Sequence, residues 1–338
     1  MVEHPHLRFL LPERSYQAVV RSELKRMAES AGFTGHRLGE VEIIIAEITS
    51  NLLKYSPKGG MILARPVAQP AAGFEMIAID NGPGMSKPLK MMEDGTSTGK
   101  TLGQGLGAIR RLSDQFDLYS LPGWGTVLYS RILSDKKSTV REDAWEVSVL
   151  NVCRKKEFVC GDTWIVDRSG KRTRIALVDG LGHGVPAAAA AVAAAESFRS
   201  APQGRPSDQL RILHMDLKKT RGVVATITYL DDANNQIMYS GVGNITMKII
   251  SAGQTRGCLS YNGIVGHIMP STLNDHIAPW EKRTDTLVMH SDGLSSRWDL
   301  QKYPNILQYS GMMLCGALYK DFDRDNDDST VLVGKYVK

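Results

Sequence analysis

Two sets of side chains in this 338-residue sequence have types and spacings that could do chemistry. The first set lies on one predicted helix over residues 36–54, at helix-compatible intervals. Because a helix turns by about 100° per residue, these positions share one stripe, beside the apolar stripe of the same helix. An asparagine inside a helix is unfavourable, since its side chain competes for backbone hydrogen bonds. The pattern therefore indicates a polar site, with a solvated helix face as the simpler alternative. The stripe consists of Glu40, Glu47, Asn51 and Lys54.

Two glycine-rich loops follow that helix along the chain. The loop DNGPGM starts at Asp80, where a predicted strand over 74–80 ends, and the loop GQGLG opens a predicted helix over 105–116. Glycines at a helix N-terminus expose backbone N–H groups that suit phosphate. Each loop alone is also typical of a simple turn. The glycines concerned are Gly82, Gly84, Gly105 and Gly107.

The second set consists of aspartates in the second half of the chain, each at or beside the end of a predicted strand. A single Asp-Gly pair is usually a turn, but several strand ends with one aspartate each indicate a cluster. Because like charges repel, converging carboxylates need a cation. Oxygen ligands without Cys or His spacing favour Mg²⁺ or Mn²⁺ over zinc. The four aspartates are Asp162, Asp179, Asp292 and Asp327.

The elements that must position these side chains fall into two groups, separated by the polar segment SDKKSTVRED. We therefore predict a first domain over residues 1–134, a linker over 135–143 and a second domain over 144–338. The first mixes helices with strands, including the pair FDLYS and GTVLYSRIL. The second contains runs of strands and two helices, near 184–199 and 304–319. This arrangement predicts an α+β fold.

Composition limits the classes of function. The chain is 42% hydrophobic and 23% charged, with a net charge of +5, which is typical of a globular protein and not of a basic nucleic-acid binder. No apolar run reaches the roughly 20 residues that span a membrane, and no secretory signal is visible. The four cysteines form no CxxC pair. We therefore expect reduced thiols, no nucleic-acid or membrane partner, and a cytoplasmic location.

The motifs EITSNLLKYS, DNGPGM and GQGLG, in this order, resemble the N box and the two glycine boxes of the GHKL ATP-binding fold. The resemblance covers about residues 10–133 and is strongest to RsbT-type serine kinases of anti-sigma and switch proteins. It implies a GHKL (Bergerat) α/β sandwich that uses ATP and Mg²⁺. Asn51 would hold Mg²⁺ against the phosphates, Asp80 would accept the adenine amino group, and Glu47 would be the general base. The four glycines would admit the nucleotide, and Lys54 would neutralise phosphate charge.

The motifs GDTW, VDGLGHG, RGVVATITYL, YSGVGNI, NGIVGH, HSDGL and DDSTVLV resemble the metal-dependent (PPM, or PP2C-like) protein phosphatases in their SpoIIE and RsbX branch. The resemblance covers about residues 144–336 and implies an α/β/β/α sandwich with two Mn²⁺ or Mg²⁺ ions. An activated water would attack a phosphoserine in line. His183 would protonate the leaving group, orient water, or only pack beside the metals. The implied ligands are Asp162, Asp179, Asp292 and Asp327 with the Gly180 carbonyl, and Asp179 and Asp292 would be central to catalysis.

Together the two resemblances imply a bifunctional regulator of a partner-switching pathway. The first half would phosphorylate a small STAS-domain regulator, and the second half would remove the phosphate. In the alternative, the first half is a nucleotide-responsive binding module and only the phosphatase is catalytic. A non-catalytic scaffold is disfavoured because all four carboxylates are present. Related small kinases often form a homodimer, although the sequence shows no heptad seam.

Overall fold

The computed structural model describes residues 4–57, 59–68, 71–88, 105–135, 145–168, 172–251 and 254–336. Contact density divides the chain into two compact units. One comprises 6–141 with 303–317, and the other comprises 142–302 with 1–5 and 318–338. Residues 136–143 of the predicted linker lie outside the described residues, so the domain boundaries stay a prediction. The assignment of 303–317 to the first unit is a feature that the sequence pattern did not indicate.

The first unit contains one five-stranded antiparallel sheet, whose strand order is β1-β2-β3-β5-β4. The strands are β1 (Leu7–Leu11), β2 (Gly60–Val67), β3 (Gly73–Asp80), β4 (Gln115–Leu121) and β5 (Gly125–Leu133). Three described helices lie in the same unit. They are α1 (Gln17–Ser30), α2 (Gly35–Tyr55) and α3 (Gly105–Leu112).

Helix α2 packs on the sheet through the apolar stripe that its period predicts. Its stripe residues share a core with the side chains on one face of β3, among them Phe74 and Met76. Burying each large aliphatic side chain of this kind contributes about 1.5–3 kcal/mol to folding. The polar stripe is thereby held at the edge of this interface. The buried stripe residues are Val41, Ile44, Ile45, Ile48 and Leu52.

Helix α3 is shorter than its sequence suggests. The predicted helix over 105–116 is wrong beyond Leu112, because β4 begins at Gln115. The Ser113 hydroxyl donates to the Ile109 carbonyl at 2.7 Å, and the Asp114 N–H donates to the Arg131 carbonyl at 2.9 Å. These bonds end the helix and turn the chain directly into the sheet.

The second unit contains two five-stranded antiparallel sheets, with strand orders β13-β10-β9-β8-β7 and β12-β11-β14-β15-β6. The strands are β6 (Trp145–Val152), β7 (Asp162–Asp167), β8 (Thr173–Gly180), β9 (Val223–Asp231), β10 (Gln236–Val242), β11 (Thr246–Ser251), β12 (Gln254–Gly257), β13 (His276–Pro279), β14 (Thr286–His290) and β15 (Ser329–Tyr336). The later helices of the chain are α4 (Val185–Ser200), α5 (Pro206–Asp216) and α6 (Gly311–Phe322).

A shared apolar core joins the two sheets of this unit. It includes Trp145 and Leu332 from one sheet and Ile175 and Leu177 from the other. Helices α4 and α5 pack on the opposite face of the β7–β10 sheet, where the alanines of α4 are buried. Their small side chains allow close approach: a β-carbon on Gly180 would lie 2.3 Å from the Ala187 carbonyl oxygen. The predicted α+β class is confirmed, and α4 matches the helix predicted near 184–199.

None of the described helices is both long enough and apolar enough to cross a membrane. All four cysteines are free thiols, as the sequence predicts.

Candidate functional site

In the first unit, the start of α3 lies against the polar stripe of α2. Glu47 and Asn51 are partly exposed on that stripe. A β-carbon on Gly105, the first residue of α3, would lie 2.4 Å from Glu47 Oε2 and 3.8 Å from Asn51 Nδ2. The positive end of the α3 dipole therefore faces a carboxylate and an amide, and it favours an anionic ligand.

The DNGPGM loop is held by close backbone contacts. Asp80 is the last residue of β3, and its Oδ1 accepts the Gly82 N–H at 2.7 Å. A β-carbon on Gly82 would lie 2.4 Å from the Tyr55 carbonyl oxygen, at the end of α2. Gly84 has φ +68°, and a β-carbon there would lie 1.8 Å from the Leu121 carbonyl oxygen. Both positions require glycine for the chain's own packing, which also places Asp80 beside α2.

The remaining predicted residues of this region are separated from that cluster or only partly described. Among the described residues, exposed Lys54 has no hydrogen bond or ion pair. Gly107 is buried within α3. Glu40 is buried and pairs with Arg37, which also pairs with Asp114, so Glu40 belongs to a structural ion-pair network. The first residues of GQGLG lie outside the described part of the chain.

In the second unit, strand register places two of the predicted aspartates side by side. Asp162 of β7 is paired directly with Asp179 of β8. Asp162 Oδ2 accepts the Ser291 hydroxyl at 2.6 Å and the Thr330 hydroxyl at 2.7 Å, both from the other sheet. Asp162 Oδ1 is buried without a hydrogen-bond partner among the described residues. A buried oxygen in that state is costly, and a bound cation would satisfy it.

The other two predicted aspartates join the same cluster. Asp292 follows β14, and its Oδ2 accepts the Asn244 side-chain N–H at 2.7 Å. Asp327 Oδ1 accepts the N–H of Asp328 at 2.9 Å. Electrostatic repulsion from Asp162, Asp292, Asp327 and Asp328 acts on Asp179. The structure therefore brings all four predicted aspartates together.

Asp328 is a member of this cluster that sequence reasoning did not single out. Its buried carboxylate accepts the Arg154 N–H at 2.8 Å and the Gly161 N–H at 2.7 Å. These two bonds fix the chain just before Asp162. The signal was its place beside Asp327 in DDST, and the missed partners Ser291 and Thr330 likewise adjoin predicted aspartates. Asn244 had no such signal.

The protonation behaviour of the cluster reflects uncompensated negative charge. Burial, together with neighbouring carboxylates, raises the pKa of Asp179 to about 10. Burial raises the pKa of Asp162 to about 7, against the opposing effect of the Ser291 hydrogen bond. Burial and the Asp327 charge also raise the pKa of Asp292. A converging set of oxygen donors with an unsatisfied buried oxygen fits a hard divalent cation such as Mg²⁺ or Mn²⁺.

We expect the metal-free protein to lose stability as pH rises. Asp162 and Asp179 ionise near 3.8 in model compounds, against about 7 and about 10 in the folded chain. The folded state therefore binds more protons than the unfolded state, and the free energy of unfolding falls between about pH 4 and about pH 10. Thermal unfolding with a chelator should give a lower Tm at about pH 8 than at about pH 5. Added Mg²⁺ or Mn²⁺ should raise Tm more at the higher pH, and an unchanged Tm would contradict the cation site.

His183 lies in the loop between β8 and α4. Its Nδ1 is 3.0 Å from Glu157 Oε1, and both side chains are partly exposed. The carboxylate orients the imidazole ring. The role of His183 in proton transfer stays a prediction.

Comparison with known proteins gives a separate match for each half of the chain. Residues 11–131 match the family of histidine kinase-like ATPase domains, and residues 169–336 match the family of stage II sporulation protein E, SpoIIE. The chain is 35% identical over 102 residues to the serine/threonine-protein kinase RsbT of Bacillus subtilis (strain 168), covering 30% of this chain and 77% of RsbT. It is 24% identical over 148 residues to the phosphoserine phosphatase RsbX of the same organism, covering 44% of this chain and 73% of RsbX.

Two solved structures share the fold of the chain. One, described as the bacterial stressosome, a modular system adapted to control secondary messenger signaling, superposes with a TM-score of 0.53 at 30% identity, covering 56% of this chain and 99% of that one. RsbX in complex with magnesium superposes with a TM-score of 0.52 at 22% identity, covering 59% and 99%. The expected GHKL-like and PP2C-like folds are thereby confirmed. The protein belongs to the RsbT-type family of histidine kinase-like ATPases through its first half and to the SpoIIE family of PPM-type serine/threonine phosphatases through its second.

Proposed function

We propose that this protein is a bifunctional enzyme of partner-switching regulation. Its first half transfers phosphate from ATP to a serine or threonine of a small STAS-domain regulator in the cytoplasm, and its second half hydrolyses that phosphate. The observation that carries the proposal is the convergence of Asp162, Asp179, Asp292 and Asp327 around an unsatisfied buried oxygen. The matches to a kinase and a phosphoserine phosphatase in one chain support opposed activities.

In the phosphatase half, the four aspartates and the Gly180 carbonyl would hold two Mn²⁺ or Mg²⁺ ions. When bound, such ions neutralise phosphate charge and make water a competent nucleophile near neutral pH. Ser291 and Thr330 hold one oxygen of Asp162 and leave the other directed to the cation. Asn244 orients Asp292 in the same way. The chain thus fixes its ligands before any cation or substrate arrives.

In the kinase half, Asn51 would bind the Mg²⁺ that accompanies ATP, and Asp80 would accept the adenine amino group. Glu47 lies one turn before Asn51 and next to the start of α3, where the γ-phosphate would be held. A carboxylate there can take the proton from the attacking hydroxyl group of the partner. Lys54 is exposed, and its role would be to neutralise phosphate charge.

The substrate proposal can be tested with purified protein and candidate STAS-domain proteins. With ATP and Mg²⁺ we expect serine or threonine phosphorylation of one candidate, and with its phosphorylated form plus Mn²⁺ we expect release of inorganic phosphate. Phosphosite mass spectrometry measures both. Release without transfer would favour the alternative in which the first half is a nucleotide-responsive binding module. Absence of both reactions would exclude the proposal.

A further inference from the structure

We propose that Arg221 binds the phosphoryl group of the phosphatase substrate beside the metal-binding loop. This inference rests on the proposed phosphatase function. It assigns a positive group to a site where the sequence identified no phosphate-binding arginine.

Arg221 lies directly against the loop that carries two proposed metal ligands. A β-carbon on Gly182 would lie 3.1 Å from Arg221 Nη1, so the absence of a side chain at Gly182 leaves room for the guanidinium group. Gly182 comes two residues after Gly180 and three after Asp179. The Leu181 N–H donates to the Gly222 carbonyl at 3.1 Å, which joins this loop to the residue after Arg221.

The backbone on both sides of Arg221 is rigidly held. The Thr220 hydroxyl donates to the Leu217 carbonyl at 2.8 Å and accepts the Gly222 N–H at 3.0 Å. Gly222 has φ +78°, and a β-carbon there would lie 2.6 Å from His267 Cδ2. The turn is therefore built for glycine at 222, and it presents Arg221 at a fixed position on strand β9's approach to the site.

The guanidinium group of Arg221 is available for a ligand. Its side chain is exposed and has no hydrogen bond or ion pair among the described residues. Arg324, in contrast, already lowers the pKa of Asp292 through its charge. Four aspartates and two divalent cations would leave little net positive charge for a phosphate dianion. A planar guanidinium supplies that charge and two parallel N–H donors that match phosphate oxygens.

The test measures binding of inorganic phosphate to the full-length, Mg²⁺-loaded protein by titration calorimetry, together with hydrolysis of p-nitrophenyl phosphate. For Arg221→Ala we expect phosphate affinity to fall and KM to rise about 10- to 100-fold, with kcat changed less than about threefold. Arg221→Lys should be intermediate, because lysine keeps the charge but loses the planar donors. Arg256→Ala, an exposed arginine on edge strand β12, is the matched control and should match wild type.

Mg²⁺ affinity, measured by the same method, should be unchanged in every variant. Phosphate affinity in Arg221→Ala equal to that of wild type would overturn the inference. A loss of Mg²⁺ affinity would also overturn it, because the arginine would then support the metal loop and not the substrate. If wild type binds phosphate through Arg221 but hydrolyses no phosphoester, the proposed phosphatase function fails while the anion site stands.

Discussion

Replacing Asp179 or Asp292 by asparagine should abolish phosphatase activity while leaving the protein folded. Each change removes one negative ligand from the cation site, and loss of several kcal/mol of transition-state stabilisation corresponds to about 10³-fold or more in rate. The metal-free Asp179→Asn protein should be more stable than wild type, because the charge that it removes is buried and repelled by its neighbours. At about pH 8 we expect a gain of about 1–3 kcal/mol in the free energy of unfolding. Phosphate release and chelator-treated thermal unfolding measure the two effects.

Asp232→Asn is the matched control for this pair of variants. Asp232 is a partly exposed carboxylate in the β9–β10 turn, paired with Lys282 at 2.6 Å. Its replacement should leave both activity and stability close to wild type, since exposed ion pairs contribute little. Full phosphatase activity in Asp179→Asn, or a large loss of stability without metal, would contradict the assignment of these carboxylates.

Replacing Glu47 by glutamine should reduce phosphate transfer from ATP by about 10²- to 10⁴-fold, the usual contribution of a general base. Glutamine keeps the shape of the side chain next to Gly105 but cannot accept the proton. Nucleotide affinity should therefore stay near that of wild type. Asn51→Ala should weaken binding of Mg²⁺ and ATP, and so reduce transfer for a different reason. Calorimetry with ATP and a partner-phosphorylation assay separate the two effects.

Glu42→Gln controls for a changed charge on the same helix. Glu42 is an exposed residue of α2 that pairs with Lys25 and lies away from Gly105. It should transfer phosphate at the wild-type rate. If Glu47→Gln and Asn51→Ala also phosphorylate the partner at that rate, the first half is not the kinase, and the binding-module alternative replaces it.

Spacing in the sequence was enough to identify the helix of the first site and the strand-end aspartates of the second. Both depend on local periodicity, which a single segment reveals: the stripe with Glu47 and Asn51 needs only one helix, and Asp179 needs only the end of one strand. The glycine loops were equally local. Their positions in the structure follow from backbone contacts such as that of Gly84 with Leu121.

The groups that sequence reasoning missed act across long distances in the chain. Asp162 receives its two hydroxyl donors from residues 129 and 168 positions away. Such pairs depend on which strands are neighbours and in which register, and no local pattern reveals either. The same limit explains a helix boundary: the helix predicted from 304 begins at Gly311. The Ser310 N–H is held by Asp117 Oδ2 at 2.7 Å, and Asn305 has φ +61°.

The most direct test of the central claim is the intact mass of a STAS-domain substrate followed over time with ATP, Mg²⁺ and Mn²⁺. With wild type, we expect the phosphorylated fraction to rise and then settle at a level set by both activities. With Asp292→Asn it should go to completion, and with Glu47→Gln the substrate should stay unmodified, while an added phosphorylated substrate should still be converted back. The same phosphorylated fraction with wild type and both variants would contradict the account of one chain with two opposed phosphoryl-transfer sites.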